Sequence, residues 1–153
     1  MNLDSNTDSI ESTLAFVLAD DKDVTFECRV QEPVAGAVFR CGLEGAANAN
    51  GIRFEVAAES AVLTHDTSSD SGKVDIVATK IISAAAWVKL GFRVRGSGDG
   101  AEFTGYADGV KIASAKIGDM NALAVSPEPL KLYIVTADDK DLYVDWVRVA
   151  QLR

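Results

Sequence analysis

Hydrophobic and polar residues alternate most regularly between residues 87 and 115, in three runs separated by two turn sequences. Asp108-Gly109 lies between the second and third runs, and Asp and Gly tolerate the positive φ angles of a tight hairpin turn. The sequence Ser-Gly-Asp-Gly at 97–100 separates the first and second runs. The pattern therefore predicts three consecutive antiparallel strands.

Counting outward from the two turns predicts the strand register. Leu90, Phe92 and Val94 are expected opposite Ala107, Gly105 and Phe103, while Tyr106 faces Lys111 and Gly105 faces Ile112. The alternation gives this sheet an apolar face and a polar, aromatic-bearing face. The apolar face is predicted to hold Leu90, Phe92, Val94, Phe103, Gly105 and Ile112. The polar face is predicted to hold Trp87, Lys89, Arg93, Arg95, Glu102, Thr104, Tyr106 and Lys111.

The rest of the chain carries further short alternating runs at the spacing of an all-β sandwich or barrel. These runs are Thr13–Ala19, Val24–Gln31, Ala37–Glu44, Ile52–Val56, Ala61–His65, Val74–Thr79, Leu130–Val135 and Leu142–Gln151. No segment sustains an apolar stripe of helical period, although residues 81–87 could form a short helical turn. Residues 117–128 are predicted to be a long connection. An antiparallel two-sheet sandwich is the resulting prediction.

The two cysteines lie in neighbouring runs, VTFECRV and AVFRCGL, joined by a segment that contains Pro33 and Gly36. We expect these runs to form a hairpin that pairs Cys28 with Cys41, with Val30 opposite Phe39 and Phe26 opposite Leu43. Both cysteines are predicted to be small core residues. A cross-strand disulfide is the alternative, disfavoured in a reducing cytoplasm.

Composition and charge limit the kinds of partner and location that are expected for this chain. The net charge is −8, which argues against nucleic acid as the main partner because phosphate binding depends on Lys and Arg. No apolar run approaches the ~20 residues of a membrane span. Residues 1–12 are polar and acidic, lack the apolar core of a secretion signal, and are predicted to form a flexible or docking arm. Residues 13–153 are predicted to form a single domain, made in the cytoplasm or carried out within a larger assembly.

Motifs for catalysis are absent from the sequence. His65 is the single histidine, and no nucleophile elbow, phosphate-binding loop or zinc-protease motif occurs. The strands also lack the closely spaced carboxylate pairs of sandwich-fold glycosidases. The sequence therefore predicts no enzyme, no catalytic residue, no cofactor and no metal. The acidic turns around Asp20–Asp23 and Asp138–Asp141 leave calcium open.

The polar face of the 87–115 sheet is the predicted binding surface. Trp87, Arg93, Arg95 and Tyr106 are expected there, and aromatic residues with arginine suit either sugar stacking or a protein interface. The alternative is that Trp87 packs beneath the 117–128 connection.

Three motifs together resemble the concanavalin A-like (laminin-G-like) jelly roll: WVKLGFRV at 87–94, YADGV at 106–110 and LYVDWVRV at 142–149. In that family a Trp opens a strand, an Asp-Gly hairpin follows, and a Val-Asp-Trp-Val strand closes the domain. Within the family, the chain looks most like virion proteins of tailed bacteriophages.

This resemblance implies a capsid decoration (cement) protein on the virion surface, bound to the major capsid protein and assembled as a trimer. The alternative function is a lectin-like carbohydrate-binding module that uses Trp87 or Tyr106 to hold a glycan. A domain cut from a larger enzyme is a third possibility, which the Met1 start and the final strand disfavour.

Overall fold

The computed structural model describes residues 1–4, 8–13, 16–17, 22–45, 51–57, 60–66, 76–78, 82–96, 102–116 and 129–152. Within them the chain forms twelve β-strands and no helix, and hence no helix that is long and apolar enough to cross a bilayer. The strands are β1 Asn2–Leu3, β2 Ser9–Glu11, β3 Asp23–Gln31, β4 Phe39–Glu44, β5 Gly51–Ala57, β6 Ser60–Asp66, β7 Ile76–Ala78, β8 Trp87–Arg95, β9 Glu102–Ala107, β10 Val110–Lys116, β11 Lys131–Thr136 and β12 Leu142–Gln151.

The strands form two six-stranded antiparallel sheets. The first sheet has the order β1-β12-β3-β8-β9-β10, and the second has the order β2-β11-β4-β5-β6-β7. Each sheet contains a run of consecutive strands, joined to strands from distant parts of the chain. The predicted all-β, two-sheet sandwich is therefore confirmed.

The register predicted from the Asp108-Gly109 turn is confirmed for most pairs. Asp108 and Gly109 adopt φ angles of 49° and 80°, Leu90 pairs with Ala107, and Val94 pairs with Phe103. The predicted Gly105–Ile112 pair is wrong. A β-bulge follows Lys111, so that Gly105 pairs with Ala113, and the Ile112 side chain fills the space left by the missing Cβ of Gly105. The turn at 97–100 lies outside the described residues.

The predicted hairpin between the two cysteine-containing strands is wrong. β3 belongs to the first sheet and β4 to the second, and Cys28 Sγ and Cys41 Sγ meet across the core at 3.6 Å. Apolar and polar residues alternate in both strands because each strand buries one face. The same alternation results whether two strands pair edge to edge or face each other across a sandwich. Both cysteines are free and fully buried, as predicted.

Residues 1–4 and 8–12, within the segment predicted as a flexible or docking arm, contribute one short strand to each sheet. β1 pairs with β12, and β2 pairs with β11. Leu3 is buried in the core, and Ile10 packs against it. Burial of these two apolar side chains adds to the strand pairing that places this segment against the sandwich. Of the predicted strand 13–19, Phe16 forms a bridge to Leu130, and most of the remainder lies outside the described residues.

The core lies between the sheets and is built from the inward-facing residues of both. Phe26 and Phe92 stack within the first sheet, with ring centroids 5.1 Å apart, and Phe54 of the second sheet lies 6.2 Å from Phe92. Such aromatic pairs contribute beyond the area they bury. Every strand that enters this core turns its alternate residues outward, where a ligand or partner can reach them.

Replacing Gly109 by Ala tests the turn. The φ of Gly109 is 80°, and an added Cβ would lie 4.0 Å from Lys89 Nζ, an ordinary contact, so the cost comes from the backbone conformation. We expect Gly109→Ala to lower the free energy of unfolding by about 1–2 kcal/mol, measured by urea denaturation. Asp108→Asn is the control, since Asn tolerates positive φ and keeps an oxygen for the hydrogen bond from Lys89 N. Equal losses in both variants would contradict this account.

Thiol labelling tests the position of the cysteines. Cys28 and Cys41 are fully buried, and burial raises the pKa of the Cys41 thiol, so the reactive thiolate is scarce in the folded protein. We expect almost no reaction with an aromatic disulfide reagent in buffer and two thiols per chain in denaturant. Rapid labelling of the folded protein would show that the core opens there.

Candidate functional site

The four predicted binding residues lie along the outward side of the first sheet, where the structure spreads them over two strands. Trp87 and Arg95 occupy opposite ends of β8, about 26 Å apart at the rise of a strand. Tyr106 lies opposite Gly91 between them. Arg93 is held by Asp23, to which Arg93 Nε donates a hydrogen bond of 3.0 Å, and this bond raises the pKa of Arg93. The four residues therefore do not form one compact site.

Trp87 lies at the edge of a different cluster. Its side chain is 38% exposed, and the guanidinium of Arg29 lies 5.0 Å from the ring centroid. Arg29 also donates a 2.8 Å hydrogen bond to Asp145. The pairing of β12 with β3 adds Trp146 to the same face. Trp87 thus has neighbours that its own hairpin does not supply.

The outward side of the second sheet carries two buried charged residues. Glu44 is 2% exposed and Arg53 is 4% exposed, although register places both on the side that faces away from the core. Arg53 Nε lies 3.5 Å from Glu44 Oε1 and donates a 3.1 Å hydrogen bond to Glu55 Oε1. Arg40 adds a second contact to Glu55, at 3.6 Å. Two carboxylates and two guanidinium groups therefore share one surface.

A glycine makes room for this arrangement. Gly42 lies opposite Arg53, and a Cβ on Gly42 would approach Arg53 Cα and Cβ to 2.6 and 2.8 Å. Such distances are closer than any real contact, so the close approach of β4 to β5 at Arg53 requires glycine at this position. Tyr133 borders Gly42 on the other side. The local sequence, with glycine between two outward charges, thus permits the burial of Arg53.

A groove of about 260 Å³ opens beside these charges. Polar groups and small apolar side chains share its walls, a composition typical of small-ligand sites. The outward residues Arg40, Glu55, Val62 and Thr64 contribute to it. The complete lining is Val38, Phe39, Arg40, Glu55, Val56, Ala57, Ser60, Val62 and Thr64.

Burial and neighbouring charges shift three pKa values on this face. Burial raises the pKa of Glu44, with Arg53 and other cations acting in the opposite direction. Burial also raises the pKa of Tyr133. By contrast, Glu11 accepts a 2.7 Å hydrogen bond from Lys131 Nζ, which lowers its pKa. A carboxylate with a raised pKa beside fixed cations is typical of functional sites.

This surface was not predicted, because its residues come from strands that are distant in sequence and carry no motif. Glu55 belongs to no catalytic or binding motif, and its partner Arg40 lies on the neighbouring strand β4. The remaining signal was the alternation of charged and apolar residues in RFEV, together with glycines in both strands. In the described part of the chain, no three His, Cys, Asp or Glu side chains come together as metal ligands. Of the acidic turns considered for calcium, Asp20 and Asp21 lie outside that part.

No protein-family model matches the chain, and no curated protein sequence matches it significantly. Solved structures do match. An endo-1,3-β-glucanase from Streptomyces sioyaensis superposes with a TM-score of 0.71 at 15% identity, over 94% of this chain and 69% of the glucanase. The carbohydrate-binding module CBM66 from Bacillus subtilis gives 0.63 at 16% identity, over 92% and 80%. Sheep galectin-11 gives 0.64 at 9% identity, over 92% and 96%.

The fold is the concanavalin A-like jelly roll. At these identities the similarity establishes the fold alone, because unrelated functions share one architecture. The structural resemblance inferred from the three sequence motifs is confirmed at this level. The three named structures are a glucanase, a carbohydrate-binding module and a galectin, and none of the three is a virion protein.

The pH dependence of stability tests the burial of Glu44. The folded-state pKa of Glu44 is raised above the ordinary value of 4.5. The folded protein therefore binds this proton more tightly than the unfolded chain does. The stability that the bound proton contributes is lost as pH rises through the folded-state pKa. We expect wild type to lose stability relative to Glu44→Gln between pH 4 and pH 8, measured by urea denaturation.

Glu11→Gln provides a control of opposite sign. The pKa of Glu11 is lowered below 4.5 by Lys131, so wild type should gain stability relative to Glu11→Gln as pH rises through that lowered pKa toward 4.5, below the region in which Glu44 acts. A difference for Glu44→Gln that stays constant or grows with pH would contradict a buried, desolvated Glu44.

Proposed function

We propose that this chain is a carbohydrate-binding module that holds a saccharide in the groove on the outward side of the second sheet. The observation that carries the proposal is the buried Arg53, held between Glu44 and Glu55 beside a cavity of about 260 Å³. Buried, mutually oriented charges on a solvent-facing sheet need a reason beyond packing, because hydrophobic replacements would cost less desolvation.

The groove has the chemistry that sugar hydroxyls require. A hydroxyl both donates and accepts hydrogen bonds, a guanidinium only donates, and a carboxylate only accepts. Arg40 Nε and Glu55 Oε1 lie 3.6 Å apart at the groove, so adjacent hydroxyls of one sugar ring could form hydrogen bonds with both side chains. Val62 supplies an apolar wall for the carbon face of the ring. Because Arg53 already fixes Glu55, little side-chain freedom would be lost on binding.

The structural similarities support a saccharide over other ligands of similar polarity. One of the similar structures is a carbohydrate-binding module, and another is an endo-1,3-β-glucanase. We therefore take β-1,3-gluco-oligosaccharides as the first class of ligand to test.

Binding without hydrolysis is the form of the proposal. Arg53 contacts both Glu44 and Glu55, and a shared guanidinium opposes the separation of roles that a glycosidase gives its acid and its nucleophile or base. That the chain is not an enzyme stays a prediction.

The capsid-decoration role also stays a prediction, as do virion location, the major capsid protein as partner, and trimer formation. The similar structures named above favour the lectin-like alternative. The groove on the second sheet favours it as well, because its size suits a small polar ligand.

Arg40→Ala is the test of the groove. The Arg40 side chain is about half exposed, so its removal should leave the fold intact. We expect binding of β-1,3-gluco-oligosaccharides, measured by calorimetry, to weaken about 10-fold or more, the typical value of a charged hydrogen bond. Lys111→Ala removes an exposed cation from the other sheet and is the control, with unchanged affinity expected.

Two further measurements complete this test. A glycan array shows whether another saccharide binds in the same way, with Arg40→Ala as the comparison. Incubation with laminarin, followed by a reducing-end assay, should detect no cleavage. The proposal fails if no saccharide binds, or if Arg40→Ala and Lys111→Ala weaken binding equally.

A further inference from the structure

The outward side of the first sheet collects both tryptophans and two of the three tyrosines of the chain. Both tryptophans, Trp87 and Trp146, face outward there, together with Tyr106 and Tyr143. Five of the six phenylalanines, by contrast, lie in the buried core. Tryptophan and tyrosine on an exposed sheet face are typical of a binding surface, since each offers a flat apolar ring with a polar edge.

The same face departs from the charge of the whole chain. Its described outward residues include six cations and four acids, although the net charge of the chain is −8. The pairs Arg29–Asp145, Arg93–Asp23 and Arg148–Glu27 are already joined. The cations are Arg29, Lys89, Arg93, Arg95, Lys111 and Arg148, and the acids are Asp23, Glu27, Glu102 and Asp145. A local excess of cations on an acidic protein favours an anionic ligand at this face.

A cavity of about 310 Å³ lies at the centre of this face, lined by Lys89, Trp146, Val147 and Arg148. In register, Arg29 lies between Trp146 and Lys89. Its guanidinium, however, is drawn over the Trp87 ring and toward Asp145. The space between Lys89 and Trp146 is thereby left open.

The two cations that line this cavity differ in whether they already have a partner. Arg148 Nε donates a 2.7 Å hydrogen bond to Glu27, and its guanidinium lies 5.6 Å from the centroid of the Trp146 ring. Arg148 is therefore fixed. The ammonium group of Lys89 makes no ion pair within the described ranges. One cation at this cavity thus remains available to an incoming anion.

We propose that this cavity binds an acidic sugar residue of a carboxylated or sulfated polysaccharide. Lys89 pairs with the acid group, and the sugar ring packs against the part of the Trp146 indole that the Arg148 guanidinium leaves uncovered. Trp87 offers a second contact about 12 Å away, at the spacing of strands and residues in a sheet. The proposal concerns the opposite sheet from the groove and does not depend on it.

The charge pattern favours an acidic sugar over a nucleic acid. Affinity for nucleic acid grows with the number of phosphates neutralised, whereas this face offers a small net excess of cations. Among the residues that line the cavity, one cation joins no ion pair within the described ranges. A single acid group on an apolar ring matches one free cation beside an indole.

The test is a titration of the full chain with polygalacturonate oligosaccharides and with dextran sulfate. Binding is measured by tryptophan fluorescence and by calorimetry. Each titration is repeated at about 20, 150 and 500 mM NaCl, which spans weak to strong screening of charges. Neutral dextran is the ligand control. We expect saturable binding of at least one acidic ligand, weaker at high salt, and no binding of dextran. Lys89→Gln should weaken binding about 10-fold, the usual scale of a hydrogen-bonded charge.

Three further variants are compared with Lys89→Gln. Trp146→Leu should also weaken binding of the acidic ligand. The melting temperature of Lys89→Gln should equal that of wild type, which would show that the variant has lost the site and not the fold. Lys111→Ala removes a cation from the same face, and Arg40→Ala alters the opposite groove; both should bind acidic ligand as wild type does. Equal weakening by Lys89→Gln and Lys111→Ala, preferential binding of single-stranded DNA or an acidic peptide, or no binding at 20 mM NaCl would each overturn the proposal.

Discussion

The contact of Phe92 with both Phe26 and Phe54 joins the two sheets of this protein. Phe26 and Phe92 are cross-strand partners in the first sheet, and Phe54 reaches Phe92 from the second. Close packing at this point fixes how the sheets face each other. Because side chains alternate along a strand, that choice also decides which residues of every strand point outward.

The two outward faces that result are chemically different. The face of the second sheet buries a charged network around Arg53, which the absence of a side chain at Gly42 permits. The face of the first sheet instead carries indole rings beneath guanidinium groups. One fold thus presents a groove with fixed hydrogen-bonding groups on one side and a cationic, aromatic surface on the other.

Much of the local structure could be predicted, because turn chemistry and alternation act over a few residues. The Asp108-Gly109 turn placed Ala107 and Tyr106 correctly against Val110 and Lys111. The prediction failed one residue later, at the bulge at Ile112, because no residue type there requires one. It failed more widely for Cys28 and Cys41, since proximity across a core and pairing within a sheet produce the same pattern.

The sequence by itself determined most of the strands, their buried sides and the sandwich class, because these depend on periodicity and turn residues, although it did not predict β1 and β2. It also placed Trp87, Arg93, Arg95 and Tyr106 on one polar face. Only the tertiary structure decided which distant strands become neighbours, and so brought Trp146 beside Arg29 and Lys131 beside Glu11. The long-range partners of a strand are selected by the packing of the whole core, which no short stretch of sequence encodes.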